Sequence, residues 1–254
     1  MKLQNKVALV TGASQGIGRT IAVGYAREGA SLIITSRSLS RLELLRDEIE
    51  ATGARCLPVS CDVRSEDEVQ ALVNVAIREF GRIDILVNNA ALGMLVVRED
   101  YLLQTVRFWE VRYDAWKSIV ETNLNGLFLV SKYVAKEMIQ RRKGKILNLN
   151  TRRSTMSKKG FAPYGPSKAA VEAFTKIMAQ ELEEYGIQVN DLAPGGPTRT
   201  GMLPERIPSS LGWAPLVPEV ILPAAIFLVS DESGSLSGQY ILANEWNKEH
   251  NISE

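Results

Sequence analysis

The stretch Lys6-Val7-Ala8-Leu9-Val10-Thr11-Gly12-Ala13-Ser14-Gln15-Gly16-Ile17-Gly18 decides how the rest of the chain is read. Its first half is a short apolar run, the pattern of a strand buried on both faces. Its second half is a glycine-rich turn, and Ile17 to Glu28 then reads as a helix. Glycines at such a turn let the main chain bend tightly and come close to a ligand. The helix N-terminus behind them offers unpaired N–H groups and a partial positive charge, a natural seat for a pyrophosphate. Gly12, Ser14, Gln15, Gly16, Ile17 and Gly18 are therefore candidate dinucleotide contacts.

Outward from this unit, strand-like and helix-like stretches alternate. Ser31 to Thr35 reads as a second strand, followed by Leu39 to Ala51 with Leu42, Leu45 and Ile49 at helical spacing. Arg55 to Val59 is a third strand, and Ser65 N-caps a helix running to Phe80. Ile83 to Val87 is a fourth strand. A less regular region precedes Tyr113 to Arg141, which reads as helical with a break near Asn123. Lys145 to Leu149, Pro163 to Glu184 and Gln188 to Leu192 continue as strand, helix, strand, and Pro218 to Leu228 is a further helix. Gln239 to Leu242 is a last edge strand. This order predicts an α/β chain: one domain over residues 1–254, a doubly wound Rossmann-type parallel sheet with helices on both faces. The sheet should hold about seven strands.

Composition narrows the function classes. The 254 residues are 45% hydrophobic and 23% charged, with formal net charge +1. Basic and acidic residues are interleaved, which argues against wholesale nucleic-acid binding. No apolar run approaches the ~18 residues of a membrane span, and the opening residues lack a signal-peptide core. A cytoplasmic protein without membrane or nucleic-acid partners is expected. Cys56 and Cys61 make neither a disulfide framework nor a metal site, so no metal is expected. The one histidine, His250, lies in a polar tail. Hydrolases and dehydrogenases built on a well-placed imidazole are thus disfavoured, and the acid/base group must be another residue.

The resemblance is carried by motifs in order. Thr11-Gly12-Ala13-Ser14-Gln15-Gly16-Ile17-Gly18 is a TGxxxGxG turn, Asn88-Asn89-Ala90-Ala91 follows the fourth strand, and Asn123 sits in Asn123-Leu124-Asn125-Gly126. Tyr164-Gly165-Pro166-Ser167-Lys168 is a YxxxK, and Pro194-Gly195 follows the sixth strand. Together, over about residues 5 to 242, they resemble the short-chain dehydrogenase/reductase family. The resemblance implies adenine contacts from Asp62 and Val63, cofactor contacts from Asn89 and Ala90, and a nicotinamide-side loop at Pro194 and Gly195. It also implies an active-site role for Asn123, through a water linked to Lys168, and a grip of Lys168 on the nicotinamide ribose.

Two pieces of side-chain chemistry refine this. Tyr164 and Lys168 are i and i+4, so they share one helix face. A free tyrosine titrates near pH ~10. The Lys168 ammonium and an oxidised nicotinamide ring would favour its phenolate and let Tyr164 exchange a proton with an alcohol. At the end of the second strand, Thr35-Ser36-Arg37-Ser38 has no carboxylate to accept a ribose diol. Arg37, with Ser36 beside it, suits a 2′-phosphate, favouring NADP over NAD while leaving NAD open.

The chain also departs from the family pattern. The expected serine is replaced by Thr151, preferred over Ser154 for the substrate-facing hydroxyl. Arg152 and Arg153 follow directly; either one faces an anionic substrate or both are solvated. Thr198 or Thr200 contacts the nicotinamide carboxamide, Thr200 being preferred. Leu92 to Trp109, Ser154 to Phe161 and Gly196 to Pro215 should line the substrate pocket, with Met94, Tyr101, Phe108, Trp109, Met202, Leu203 and Trp213 as apolar wall. Leu242 to Asn247 replaces an Asp-Gly-Gly segment that lies near a subunit contact in the family. The resemblance implies a homo-oligomer, tetramer or dimer. The leading functional expectation is an NADP(H)-dependent carbonyl reductase or alcohol dehydrogenase acting on a small-to-medium ketone or secondary alcohol. Epimerase or dehydratase chemistry on the same fold, or a weakly catalytic dinucleotide-binding sensor, are the alternatives.

Overall fold

The computed structural model describes residues 1–207 and 209–252. Seven strands form its sheet: β1 (Val7–Thr11), β2 (Ser31–Ser36), β3 (Cys56–Ser60), β4 (Ile85–Asn88), β5 (Gly144–Leu149), β6 (Ile187–Ala193) and β7 (Tyr240–Leu242). All pairs are parallel, in the order β3-β2-β1-β4-β5-β6-β7. The chain winds outward one way from β1 to β3 and the other way from β4 to β7. Where it reverses, between β1 and β4, a crevice opens beyond the strand C-termini, and the site lies there.

Strand pleating explains how one sheet serves two cores. Leu9, Ile33, Leu86 and Ile146 face one layer, and their neighbours Val10, Ile34, Val87 and Leu147 face the other. The first layer is covered by α3 (Glu66–Phe80), α5 (Leu127–Arg141) and α7 (Tyr164–Glu183). The second is covered by α1 (Gly16–Arg27), α2 (Leu39–Glu50) and α8 (Leu222–Val229). Each of these large aliphatic side chains removed from water contributes roughly 1.5–3 kcal/mol. Ser65 caps α3 as expected, its Oγ accepting from the Glu68 N–H at 3.3 Å.

The helical stretch expected over Tyr113 to Arg141 divides in three: α4 (Tyr113–Val120), a π-helical turn over Glu121–Gly126, and α5. The break near Asn123 is thus a widening of the helix, a feature common at functional sites. Two helices escaped the sequence reading, the single turn α6 (Arg153–Met156) and α9 (Ala243–Glu249). The stretch from Pro218 starts as a 3₁₀ turn, Pro218–Ile221, before α8. No helix among the described residues is long and apolar enough to cross a membrane. Cys56 and Cys61 are free thiols, each pushed up to about 12 chiefly by burial. His250 stacks on Trp246 at 4.0 Å, exposed beyond α9.

Candidate active site

Two cavities meet in the crevice. The larger, about 600 Å³, runs from the glycine turn across the ends of β2 and β3. Gly12, Ser14, Gln15, Gly16 and Ile17 line it from one side, and Ser36, Arg37, Asp62, Val63, Asn89 and Ala90 from the others. The turn is held close to β4 by side chains. Thr11 Oγ1 accepts from the Asn89 and Ala90 N–H groups, both at 3.0 Å. Asn89 Nδ2 donates back to the carbonyls of Thr11 and Gly12 at 2.9 and 3.0 Å. Gly18 makes this possible, because a Cβ there would stand 2.3 Å from Asn89 Nδ2. Gly12, at φ +64°, also touches β4: a Cβ would meet Ala90 Cα at 2.8 Å.

No side chain caps α1. Gln15, its N-cap residue, instead accepts from Arg41 Nη1 at 3.2 Å. The first N–H groups of the helix are left to the cavity. Among the described residues, no carboxylate lies within ion-pair distance of Arg37 or Arg41. Asp62, the acid nearest in the lining, is claimed by Arg64, whose guanidinium grips both carboxylate oxygens and holds its pKa down.

The smaller cavity, about 230 Å³, opens beside the first and shares Ile17, Asn89 and Thr200 with it. Thr151, Tyr164 and Lys168 all line it. Tyr164 is the first residue of α7 and Lys168 is one turn on, on the same face. Thr151 follows β5 by two residues. Its N–H donates to Asn150 Oδ1 at 2.8 Å, and its carbonyl accepts from the Tyr240 hydroxyl at 2.7 Å. Ser154 is exposed on α6 and does not line the cavity. Pro194 and Gly195 line it from the end of β6. Thr198 is buried, its hydroxyl turned onto the Gly196 carbonyl at 3.1 Å, whereas Thr200 lines both cavities. Asn244, in the segment that departs from the family pattern, packs against Gly195 and donates its N–H to the Pro194 carbonyl at 3.1 Å.

Asn123 does not face Lys168 with its side chain. Its Oδ1 accepts from the Leu92 N–H at 2.7 Å, while Nδ2 donates to the Leu92 carbonyl and to Ser167 Oγ, both at 3.0 Å. Both amide hydrogens are taken, so the side chain ties the loop after β4 to α7. The apolar wall is also rearranged. Met94, Tyr101, Met202, Leu203 and Trp213 line the cavity, but Phe108 and Trp109 do not. They are 70% and 68% exposed and pack edge-to-face on each other at 5.0 Å. The long segment before α4 leaves the pocket before reaching them.

Beneath the pocket lies a row of polar residues that the sequence reading missed. Asn88, Asn148, Asp191 and Tyr240 are register partners across β4, β5, β6 and β7. Asn88 Nδ2 donates to Asn148 Oδ1 at 2.8 Å, and Asn148 Nδ2 to Thr175 Oγ1 at 2.8 Å. Asp191, 1% exposed, accepts from Asn150 Nδ2 at 2.7 Å through Oδ2, while Oδ1 has no partner. The available signal was the pair Asn190-Asp191 inside a strand, Ile187–Ala193, that is buried at every position but Gln188.

Lys168 sits over this row, 5% exposed, with Nζ donating to the Leu149 carbonyl at 2.7 Å. Burial lowers its pKa to about 8, opposed by Asp191, which favours the ammonium. Burial pushes Asp191 up to about 7, against the pull of Asn150 and Lys168. In the protein alone, burial raises the Tyr164 phenol above the ordinary value, and the Thr151 hydroxyl is the group that pulls it back. The lysine is directed at a main-chain carbonyl, so the i, i+4 spacing does not by itself produce a phenolate.

Residues 6–209 match the family described as short chain dehydrogenase. The chain belongs to this family. Among curated relatives of the short chain dehydrogenases, it is 35% identical to the gluconate 5-dehydrogenase of Gluconobacter oxydans, covering 93% of this chain and 92% of that protein. It is 36% identical to a 3-oxoacyl-(acyl-carrier-protein) reductase of Thermotoga maritima, covering 95% and 97%. Among solved structures, a short-chain type dehydrogenase/reductase from Mycobacterium marinum superposes with TM-score 0.83 at 29% identity, covering 95% of this chain and 94% of that one. An NAD⁺-bound xylitol dehydrogenase does so with TM-score 0.84 at 26% identity, covering 95% and 98%. This short chain dehydrogenase is thus an oxidoreductase of a class that binds a nicotinamide dinucleotide. Its residues fit such a cofactor: an uncapped helix N-terminus behind glycines held flat against β4, and, across the larger cavity, Arg37 and Arg41 with no ion-pair partner among the described residues.

Proposed function

We propose that this enzyme transfers hydride between NADP(H) and a small-to-medium ketone or secondary alcohol, with Tyr164 as the acid/base. The observation that carries the reading is the convergence of Thr151, Tyr164 and Lys168 on one cavity that opens into the larger one. Gly12 to Gly18, Asn89, Ala90 and Thr200 would hold the cofactor, which would supply or accept the hydride when bound. Arg37, with Ser36 and Arg41 near it, takes the 2′-phosphate. The pairing of Asp62 with Arg64 supports this, because it leaves Arg37 free of a carboxylate. Asp62 and Val63 flank the adenine, and Thr200 serves the carboxamide end.

The chain's own residues then divide the work. The Thr151 hydroxyl donates to the substrate oxygen and steadies negative charge as it develops. The Thr151 main chain is held by Asn150 Oδ1 at its N–H and by the Tyr240 hydroxyl at its carbonyl. Tyr164 Oη passes its proton to that oxygen during reduction and takes one back during oxidation. In the protein alone, burial keeps this phenol protonated. The Lys168 ammonium, anchored on Leu149, holds the nicotinamide-side ribose and lends positive charge beside the reacting oxygen. Asn123 keeps the Leu92 loop and α7 in register around them. Assembly of copies through α5 and α7 is supported by Phe128 and Ile177, 45% and 49% exposed on those helices. We place the enzyme in the cytoplasm.

The reading is tested by following reduced-nicotinamide absorbance with NADPH or NADH against a panel of ketones. NADPH-dependent ketone reduction is expected. Tight cofactor binding without any carbonyl reduction or alcohol oxidation would overturn it.

A further inference from the structure

The smaller cavity has a charge pattern that hydride transfer alone does not require. Among the described residues, three cations line it, Lys168, Arg152 and Lys158, and no carboxylate does. Lys168 is committed to Leu149 beside the reacting centre. The other two sit on the α6 side, in the stretch Arg152 to Phe161.

The adjacent arginines behave differently. Arg153 is spent on structure: its Nε and Nη2 bind Glu172 at 2.9–3.2 Å, and its guanidinium lies 4.4 Å over the Tyr240 ring. Arg152 turns to the cavity. Glu245, itself 55% exposed, takes a single contact from Nη2 at 3.3 Å. Arg152 Nε is buried and has no partner. A buried guanidinium N–H left unmade costs about 1–3 kcal/mol or more. Lys158, exposed and with Nζ 4.7 Å over the Phe161 ring, adds a second positive charge to the lining.

We infer that the substrate is a small oxo acid, whose carboxylate is received by Arg152 and Lys158 while its ketone lies at Thr151 and Tyr164. A carboxylate offers two coplanar acceptors to a guanidinium, and Arg152 and Lys158 both line the cavity. The cavity, about 230 Å³, lies below the ~300–1,000 Å³ of pockets for drug-sized ligands, which limits the acid to a small one. This inference rests on the proposed hydride transfer for its chemistry and on the lining charges for its substrate.

The test compares 4-oxopentanoate with 4-oxopentanamide, which keeps the ketone and removes the charge. With NADPH, the acid should exceed the amide in kcat/KM by roughly 10–100-fold, as expected for charge-assisted hydrogen bonds. Arg152→Gln and Lys158→Gln should each pull that ratio toward one, acting on KM, while Arg153→Gln leaves it unchanged. Calorimetric binding of 4-oxopentanoate to the enzyme carrying NADP⁺ supplies a readout independent of turnover. Binding there should weaken at high salt and in Arg152→Gln. Equal use of acid and amide, or a ratio indifferent to Arg152 and Lys158, overturns the inference while the hydride-transfer reading stands. If neither ketone is turned over yet the acid binds through Arg152, the carboxylate site survives and the hydride-transfer reading fails.

Discussion

The two cavities of this enzyme are built on opposite electrostatic plans. Around the glycine turn, side chains serve the main chain: Thr11 and Asn89 spend their hydrogen bonds fixing the turn to β4, and Asp62 is neutralised by Arg64. What faces the larger cavity is main-chain N–H, glycine and arginine. Around Tyr164 the main chain serves the side chains instead. Leu149 holds Lys168, and a strip of buried polar residues under the pocket leaves one carboxylate oxygen of Asp191 without a partner. One half is thus a finished binding surface. The other keeps titratable groups buried and incompletely compensated, the condition in which pKa values move and proton transfer becomes tunable.

The sharpest break of this contrast is Tyr164→Phe. If the catalytic half alone moves protons, ketone reduction should fall by about 10²–10⁴-fold. NADPH affinity, a property of the other half, should stay within a factor of a few, as measured by quenching of protein fluorescence. A comparable loss in both would mean that the halves are not separable. Next in size is Thr151→Val, which removes the hydroxyl and keeps the shape. A loss of about 10²–10³-fold in kcat is expected, with Thr151→Ser close to the parent. If the valine variant retains turnover, Thr151 is a wall and not a donor.

The same contrast explains what was legible in the sequence. The glycine turn and the Ser36-Arg37 segment act through main chain and near neighbours, so a contiguous string of residues was enough to locate them. Their cavity follows from the strand order, which alternating apolar runs also revealed. The catalytic half is assembled by register. Asn88, Asn148, Asp191 and Tyr240 become neighbours only once four strands are aligned. Tyr240 lies on the edge strand and reaches back to the Thr151 carbonyl. No local pattern encodes that contact. For the same reason helical spacing places Lys168 one turn from Tyr164 but does not say that Leu149 will hold its ammonium. Phe108 and Trp109 were assigned to the pocket on residue type, and the path of the loop before α4 leaves them outside.

On the cofactor side, Arg37→Ala sharpens the comparison. It should weaken NADPH binding by about 10–100-fold and leave NADH binding nearly unchanged, because one charge-assisted contact to the 2′-phosphate is lost. The measurement is the ratio of the two dissociation constants. An equal effect on both cofactors would assign Arg37 to general attraction and not to phosphate recognition.

The smallest expected effect is the most diagnostic of the catalytic half, and it concerns Asp191. Lys168 titrates near pH about 8 because burial opposes its charge, and Asp191 supports that charge. Activity that needs the ammonium is therefore lost as pH rises through about 8. Asp191→Asn keeps the hydrogen-bonding shape toward Asn150 and removes the support, so this basic limb should move down by about one unit, equivalent to ~1.4 kcal/mol. Three further charges bear on the site: Glu172 faces Asp191 from α7 with the opposite effect on its ionisation, and Arg153 and Lys176 already neutralise Glu172. They are unchanged by the substitution. The stability effect has its own sign. Asp191 titrates near 7 in the fold and near ~4 unfolded, so the native protein binds more protons between those values and loses stability as pH rises through them. The asparagine variant lacks this loss. Its melting temperature relative to the parent should therefore climb between pH 5 and pH 7.5, over the same range in which its basic limb has moved toward neutrality. A residue that merely packs would shift the melting temperature by a constant and leave the rate profile in place. Only a carboxylate coupled to Lys168 moves both, and in these directions.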